Sequence, residues 1–132
     1  MTLFRNLLFR NLRQLFGRWW SSPGPSRPAA GDIYSIESGD QFGVVKVLAV
    51  EDDIIHVRLF REKFADRPVA VSTGGLTLGR FDDPEGCGIG HLPLSRTVFR
   101  TWIPTPAGHE PVEEAELEGY RFWKDDGGGT FG

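Results

Sequence analysis

The sequence predicts an α+β domain: a small β-barrel or curled antiparallel sheet, helices at the C-terminal end, and an amphipathic helix in front. Three observations carry this expectation. Gly 17 and Pro 9 in 132 residues imply many turns. Two runs rich in β-branched residues, Phe42 to Val50 and Ile54 to Phe60, have the composition of strands. Helical spacing then returns after Ser95 and again after Pro111. Hydrophobic residues at 39% suffice for a modest core, which excludes a wholly disordered chain.

Charge divides the chain into two parts. Residues 1–27 hold Arg5, Arg10, Arg13, Arg18 and Arg27 with no acid, and carry +5. The remainder holds the other 10 basic and all 18 acidic residues and carries −8. An acidic body repels phosphates, so no nucleic-acid partner is expected. The single Cys87 excludes an intramolecular disulfide and a four-cysteine zinc site, and it fits a reducing, cytoplasmic compartment.

Read as a helix, residues 1–20 place Phe4, Leu8, Leu12, Leu15, Phe16 and Trp19 on one face, opposite Arg10, Arg13 and Arg18. Arg5 intrudes on the apolar face. The longest uninterrupted apolar run is Leu7-Leu8-Phe9, too short for a secretory signal. As a span the helix would be roughly 27 Å long, but Arg10 and Arg13 near its middle would cost about 5–7 kcal/mol. Crossing a bilayer is therefore not expected. Phe4, Arg5, Leu8, Arg10, Leu12, Arg13, Phe16, Arg18 and Trp19 are the expected contacts to an anionic membrane surface, a partner, or the body itself. The arginine-rich, acid-poor composition also fits an organellar transit peptide. Residues 21–30, with three prolines, read as a linker, and residues 31–127 as the globular unit before a glycine-rich flexible tail at 128–132.

Within the body, Ile33 to Glu37 reads as a strand, Ser38-Gly39-Asp40 as a turn, and Phe42 to Val50 as a long second strand. Its two faces, Val44/Lys46/Leu48/Val50 and Val45/Val47/Ala49, are both largely apolar, so something must cover each. In Ile54 to Phe60, Ile55, Val57 and Leu59 point to the core, with His56 and Arg58 outward. Val69 to Val71 and Leu76 to Leu78 are candidate short strands closing a barrel, and Gly79 to Gly90 reads as loop. Ser95 is a candidate N-cap for a helix carrying Val98, Phe99 and Trp102, ended by Pro104. Pro111 opens a last helix whose stripe is Val112, Ala115, Gly119, Phe122 and Trp123, Gly119 permitting close approach to what lies beneath.

The segment "GDIY", turn, "FGVVKVL", "IHVRLF" in residues 31–60 resembles the opening of SH3-like and Tudor-like small barrels. It is also similar to the opening of bacterial immunity proteins that neutralise polymorphic toxins. The body through "GIGHLPLS" and "LEGYRFW" resembles a bacterial family of stand-alone proteins, a likeness that implies no activity. These resemblances imply an SH3-like β-barrel fold and a protein partner. A Tudor-like barrel implies Tyr34, Phe42 and Phe60 as rim residues that hold a ligand.

Catalytic patterns are thin. GCGIG (86–90) has His91 where a nucleotide loop needs glycine, and Asp82-Asp83-Pro84-Glu85 lacks the alternation of a calcium loop. Cys87 and His91 have a C-x3-H spacing that could place two zinc ligands, a site that would also need His56 and His109 or a carboxylate. As a nucleophile–base pair they have no identifiable third, orienting residue. The expectation is a non-catalytic protein-binding domain with no cofactor and no metal, tethered by its basic helix. The alternatives are an immunity-type toxin inhibitor and a small hydrolase or metal-dependent enzyme using Cys87 and His91.

Overall fold

The computed structural model describes residues 27–84 and 86–131. The contacts expected of Phe4 to Trp19 lie outside the described residues, as does most of the linker. Alternating β-branched residues with tight turns between them produce three antiparallel strands: β1 (Asp32–Ser38), β2 (Gln41–Glu51) and β3 (Ile54–Leu59). After a long irregular segment come β4 (Ile89–Ser95), helix α1 (Arg96–Thr101), β5 (Thr105–His109), a 3₁₀ turn (Glu114–Leu117) and helix α2 (Glu118–Asp125). The five strands form one open antiparallel sheet in the order β4-β3-β2-β1-β5.

Side-chain alternation gives the sheet two covered faces. On the first, Tyr34, Ile36, Val45, Val47, Ile55, Val57 and Leu94 pack beneath Phe99 of α1, with Val98 and Trp102 alongside. Ser95 caps α1 as expected, its Oγ accepting from the Val98 N–H at 3.1 Å. On the second face, Ile33, Val44, Phe60 and Ala107 are covered by Phe64, Val71, Leu76 and Leu78 from the irregular segment. Arg67 ties this segment to the sheet, its guanidinium donating to Ser35 Oγ and Thr105 Oγ1, each at 2.8 Å.

The structure corrects the expected pattern in four places. First, β2 has a bulge at Leu48, between the pairs Val47↔Val57 and Ala49↔His56. The extra residue reverses the alternation, so Val50 joins the first cluster and Ala49 lies opposite His56. Second, His56 is not outward: it is fully buried under α2. Third, Val69 to Val71 and Leu76 to Leu78 are not strands. Val71 N bonds Ala107 O at 2.9 Å, and the bonds of 76–78 go to three different places (Leu76 N to Thr73 O at 3.0 Å, Arg61 N to Thr77 O at 2.8 Å, Gly88 N to Leu78 O at 2.6 Å), which makes no ladder. The missing strands are β4 and β5, where Pro93 and Pro106 are tolerated because both strands are sheet edges. Fourth, the last helix begins as a 3₁₀ turn. Three residues per turn, in place of 3.6, take Ala115 out of the stripe. Within α2 the face on the sheet is Gly119, Tyr120 and Trp123, which leaves Phe122 exposed.

The first cluster supplies most of the closely packed interior. Ile55→Ala, at a site with no solvent exposure, is expected to lower unfolding free energy by about 2–5 kcal/mol in a urea titration.

Candidate functional site

The chemistry-bearing side chains gather on the second face, where α2 crosses β2, β3 and β4. Alternation in β3 turns His56 to this side, and alternation in β4 turns His91 the same way, between Leu92 on the first face and Gly90. His56 Nδ1 and His91 Nε2 are 2.8 Å apart and share one proton, with the rings nearly parallel at a centroid separation of 5.1 Å. Tyr120 and Trp123 of α2 meet the His56 ring edge-on at 4.7 and 4.4 Å. Small neighbours make this possible. Ala49 lies directly opposite His56, and a Cβ at Gly119 would stand 2.6 Å from the His91 Cβ. The close approach expected of Gly119 is thus made to a named residue.

Charge around the pair is arranged at its margin. The Leu48 bulge brings Glu51 to the His56 side of the sheet, where its Oε2 lies 3.7 Å from His56 Nε2. The other carboxylate oxygen accepts from Lys124 Nζ at 2.9 Å. That bond, then one from Tyr120, holds the Glu51 carboxyl below the usual range, and the same contacts raise Lys124. His56 Nε2 has no hydrogen-bond partner. Burial first, then the His91 ring, pulls His56 down to about 4, against the opposing pull of Glu51. Burial also lowers His91. Both imidazoles are therefore neutral at pH 7, so one donates and the other accepts.

Beside the pair, Lys46 is buried in the middle of the face. Its Nζ donates to Glu116 Oε1 and to the Pro111 carbonyl, both at 2.9 Å. Glu116 also accepts from the Glu113 N–H at 2.9 Å in a capping box. Burial would raise the Glu116 carboxyl, but the Glu113 N–H and Lys46 outweigh it and hold the group low. This bridge sets where α2 starts.

The outer side of α2 is different in kind. Phe122 is 68% exposed. It lines two adjoining shallow grooves, one with Gly119, Trp123, Asp125, Asp126 and Gly128, the other with Glu114, Ala115, Glu118, Arg121 and Asp125. Glu114 bonds Arg121, while Glu118, Asp125 and Asp126 face solvent.

Of the residues named from the sequence, His91 belongs to this site, while Cys87, Tyr34, Phe42 and Phe60 have other surroundings. Tyr34 sits in the first cluster against Phe99, and its hydroxyl is pushed up to about 12 by burial and then by Asp32. Phe60 sits in the second cluster. Half-buried Phe42 carries the Arg67 guanidinium 4.7 Å above its ring. Cys87 is exposed, while His91 Nε2 is occupied by His56. Among the described residues no three His, Cys, Asp or Glu side chains are disposed to hold a metal ion. Among those residues, too, no helix is long and apolar enough to cross a membrane. Sequence reasoning set His56 beside His91 only as a further ligand of a candidate zinc site, not as its hydrogen-bond partner. The usable signal was that both histidines sit at odd offsets from core leucines and valines in runs of strand composition. No family model, curated protein or solved structure matches this chain.

Two substitutions probe the site. Gly119→Ala gains about 1 kcal/mol of helix propensity but forces the helix off His91, for an expected net loss of about 1–2 kcal/mol by chemical denaturation. Glu116→Ala leaves the Lys46 ammonium buried without its carboxylate. It should cost about 3 kcal/mol, most of it recovered in the double variant Lys46→Met/Glu116→Leu.

Proposed function

We propose that this chain is a non-catalytic protein-binding domain that docks a basic partner on the outer side of α2. The observation that carries this reading is Phe122. An aromatic side chain left largely in solvent, on a helix whose other two aromatics are spent on the sheet, is the kind of residue that anchors an interface. Glu118, Asp125 and Asp126 around it favour Lys and Arg on the incoming surface, raising association rate and excluding acidic competitors. The acidic balance of the body acts in the same direction.

The strand order, a four-strand meander with β5 returning beside β1, supports reading the sheet as an SH3-like barrel that has remained open. Such modules bind other proteins by surface residues. This reading assigns the contact to α2 and leaves Tyr34 and Phe60 to the interior. The arginine-rich residues 1–20 serve in it as a tether, to a partner or to an anionic membrane surface. An immunity-type inhibitor would use the same acidic face against a basic toxin.

Phe122→Ala tests the reading. Full-length chain immobilised at pH 7.5 should retain a protein from its native lysate that the variant retains at least tenfold less. Raised salt should weaken the retention, and the thermal melts of the two forms should coincide. Equal retention by both forms, or retention indifferent to salt, would overturn the assignment.

A further inference from the structure

We propose that the His56–His91 pair is an acid-operated latch: it holds α2 on the sheet while both rings are neutral and releases it when they take up protons. The consequence for the Phe122 surface rests on the binding reading above; the latch itself does not.

The geometry permits only certain proton counts. With one proton between Nδ1 and Nε2 the 2.8 Å contact is a hydrogen bond. With both rings cationic, two N–H groups and two positive charges face each other at that distance, and the contact cannot persist. Even the first added proton lands on a ring pair enclosed by Tyr120, Trp123 and the sheet, with His56 at no solvent exposure.

Every neighbouring element contributes to the balance. From β2, Glu51 attracts a proton to His56, but its charge is shared with Lys124 of α2, and Lys124 itself opposes a cation below. From α2, Tyr120 supplies a hydroxyl 3.5 Å from Lys124 Nζ. From β3, Arg58 spends its Nε on the Gly90 carbonyl at 3.4 Å and adds positive charge on the same face. The Lys46–Glu116 bridge lies at the other end of the cover and holds the chain just before α2, so α2 can leave while its N-terminal anchor stays.

The sign follows from linkage. Both imidazoles bind protons less readily when docked than when free, so the docked state is fully favoured above about pH 6.5 and loses ground as pH falls from there toward 4. At pH 5 His56 alone should shift the docked-to-released ratio by about thirtyfold. Release would lift Trp123 off the His56 ring and carry the Phe122 surface, which lies on the same helix, away from the sheet.

The test is residue-resolved hydrogen exchange on the full-length chain alone, corrected for intrinsic rates, at pH 7.5 and pH 5.0. Protection of the Arg121 to Asp126 amides should fall at least tenfold while that of Val45 and Val57 holds. In the His56→Gln/His91→Gln variant, whose amides still bond each other but do not titrate, protection should stay within threefold. An unchanged α2, a parallel fall in the sheet, or an equal fall in the variant would overturn the latch. Should the variant not fold, the wild-type chain decides through NMR. Histidine ring carbons that titrate near pH 6.5 without moving the Trp123 indole N–H sink the proposal, and ones that titrate lower together with it support it. No partner enters these measurements, so a failed latch and a failed binding surface are distinguishable.

Discussion

The buried ammonium of Lys46 constrains everything on the second face of this sheet. A lysine at 3% exposure in the centre of a five-stranded sheet is tolerable only with its charge and donors satisfied. One carbonyl and one carboxylate do this, and both come from the segment between β5 and α2. That segment must therefore cross the sheet at this point, and α2 must begin where it does. Tyr120 and Trp123 then fall onto His56, Gly119 onto His91, and Phe122 outward. A single polar side chain in the apolar middle of β2 thus sets the position of the cover.

The two sides of the sheet consequently differ in character. The first is a conventional apolar interior closed by α1. The second mixes a salt bridge, a histidine pair and an aromatic clamp, each polar group held by a partner from another element. Stability on that side depends on protonation state, because its contacts are made by groups that titrate or neighbour ones that do. The binding surface proposed for α2 would inherit that dependence.

The local pattern made four of the elements legible. Strands β1 to β3 follow from β-branched runs and short turns, α1 from Ser95 and the spacing of Val98, Phe99 and Trp102, and the need for cover on both faces of β2 from its near-continuous apolar run. Strands β4 and β5 were hidden because Gly90, Pro93, Pro106 and Gly108 obscure strand composition. Only their positions at the sheet edges make such residues acceptable.

What the sequence determined by itself was the existence of the elements whose periodicity is intrinsic, along with the split into a basic segment and an acidic body. The tertiary structure decided which polar residues are interior. One bulge at Leu48 moved Glu51 and Ala49 to the other face, and the seating of the last helix on Gly119, Tyr120 and Trp123 put Phe122, expected in the stripe, outside the interior. Both are shifts of a single residue or a fraction of a turn. They decide which face a side chain occupies, and they arise from long-range pairing of Lys46 with Glu116 and of β2 with β3, which no local window of sequence contains.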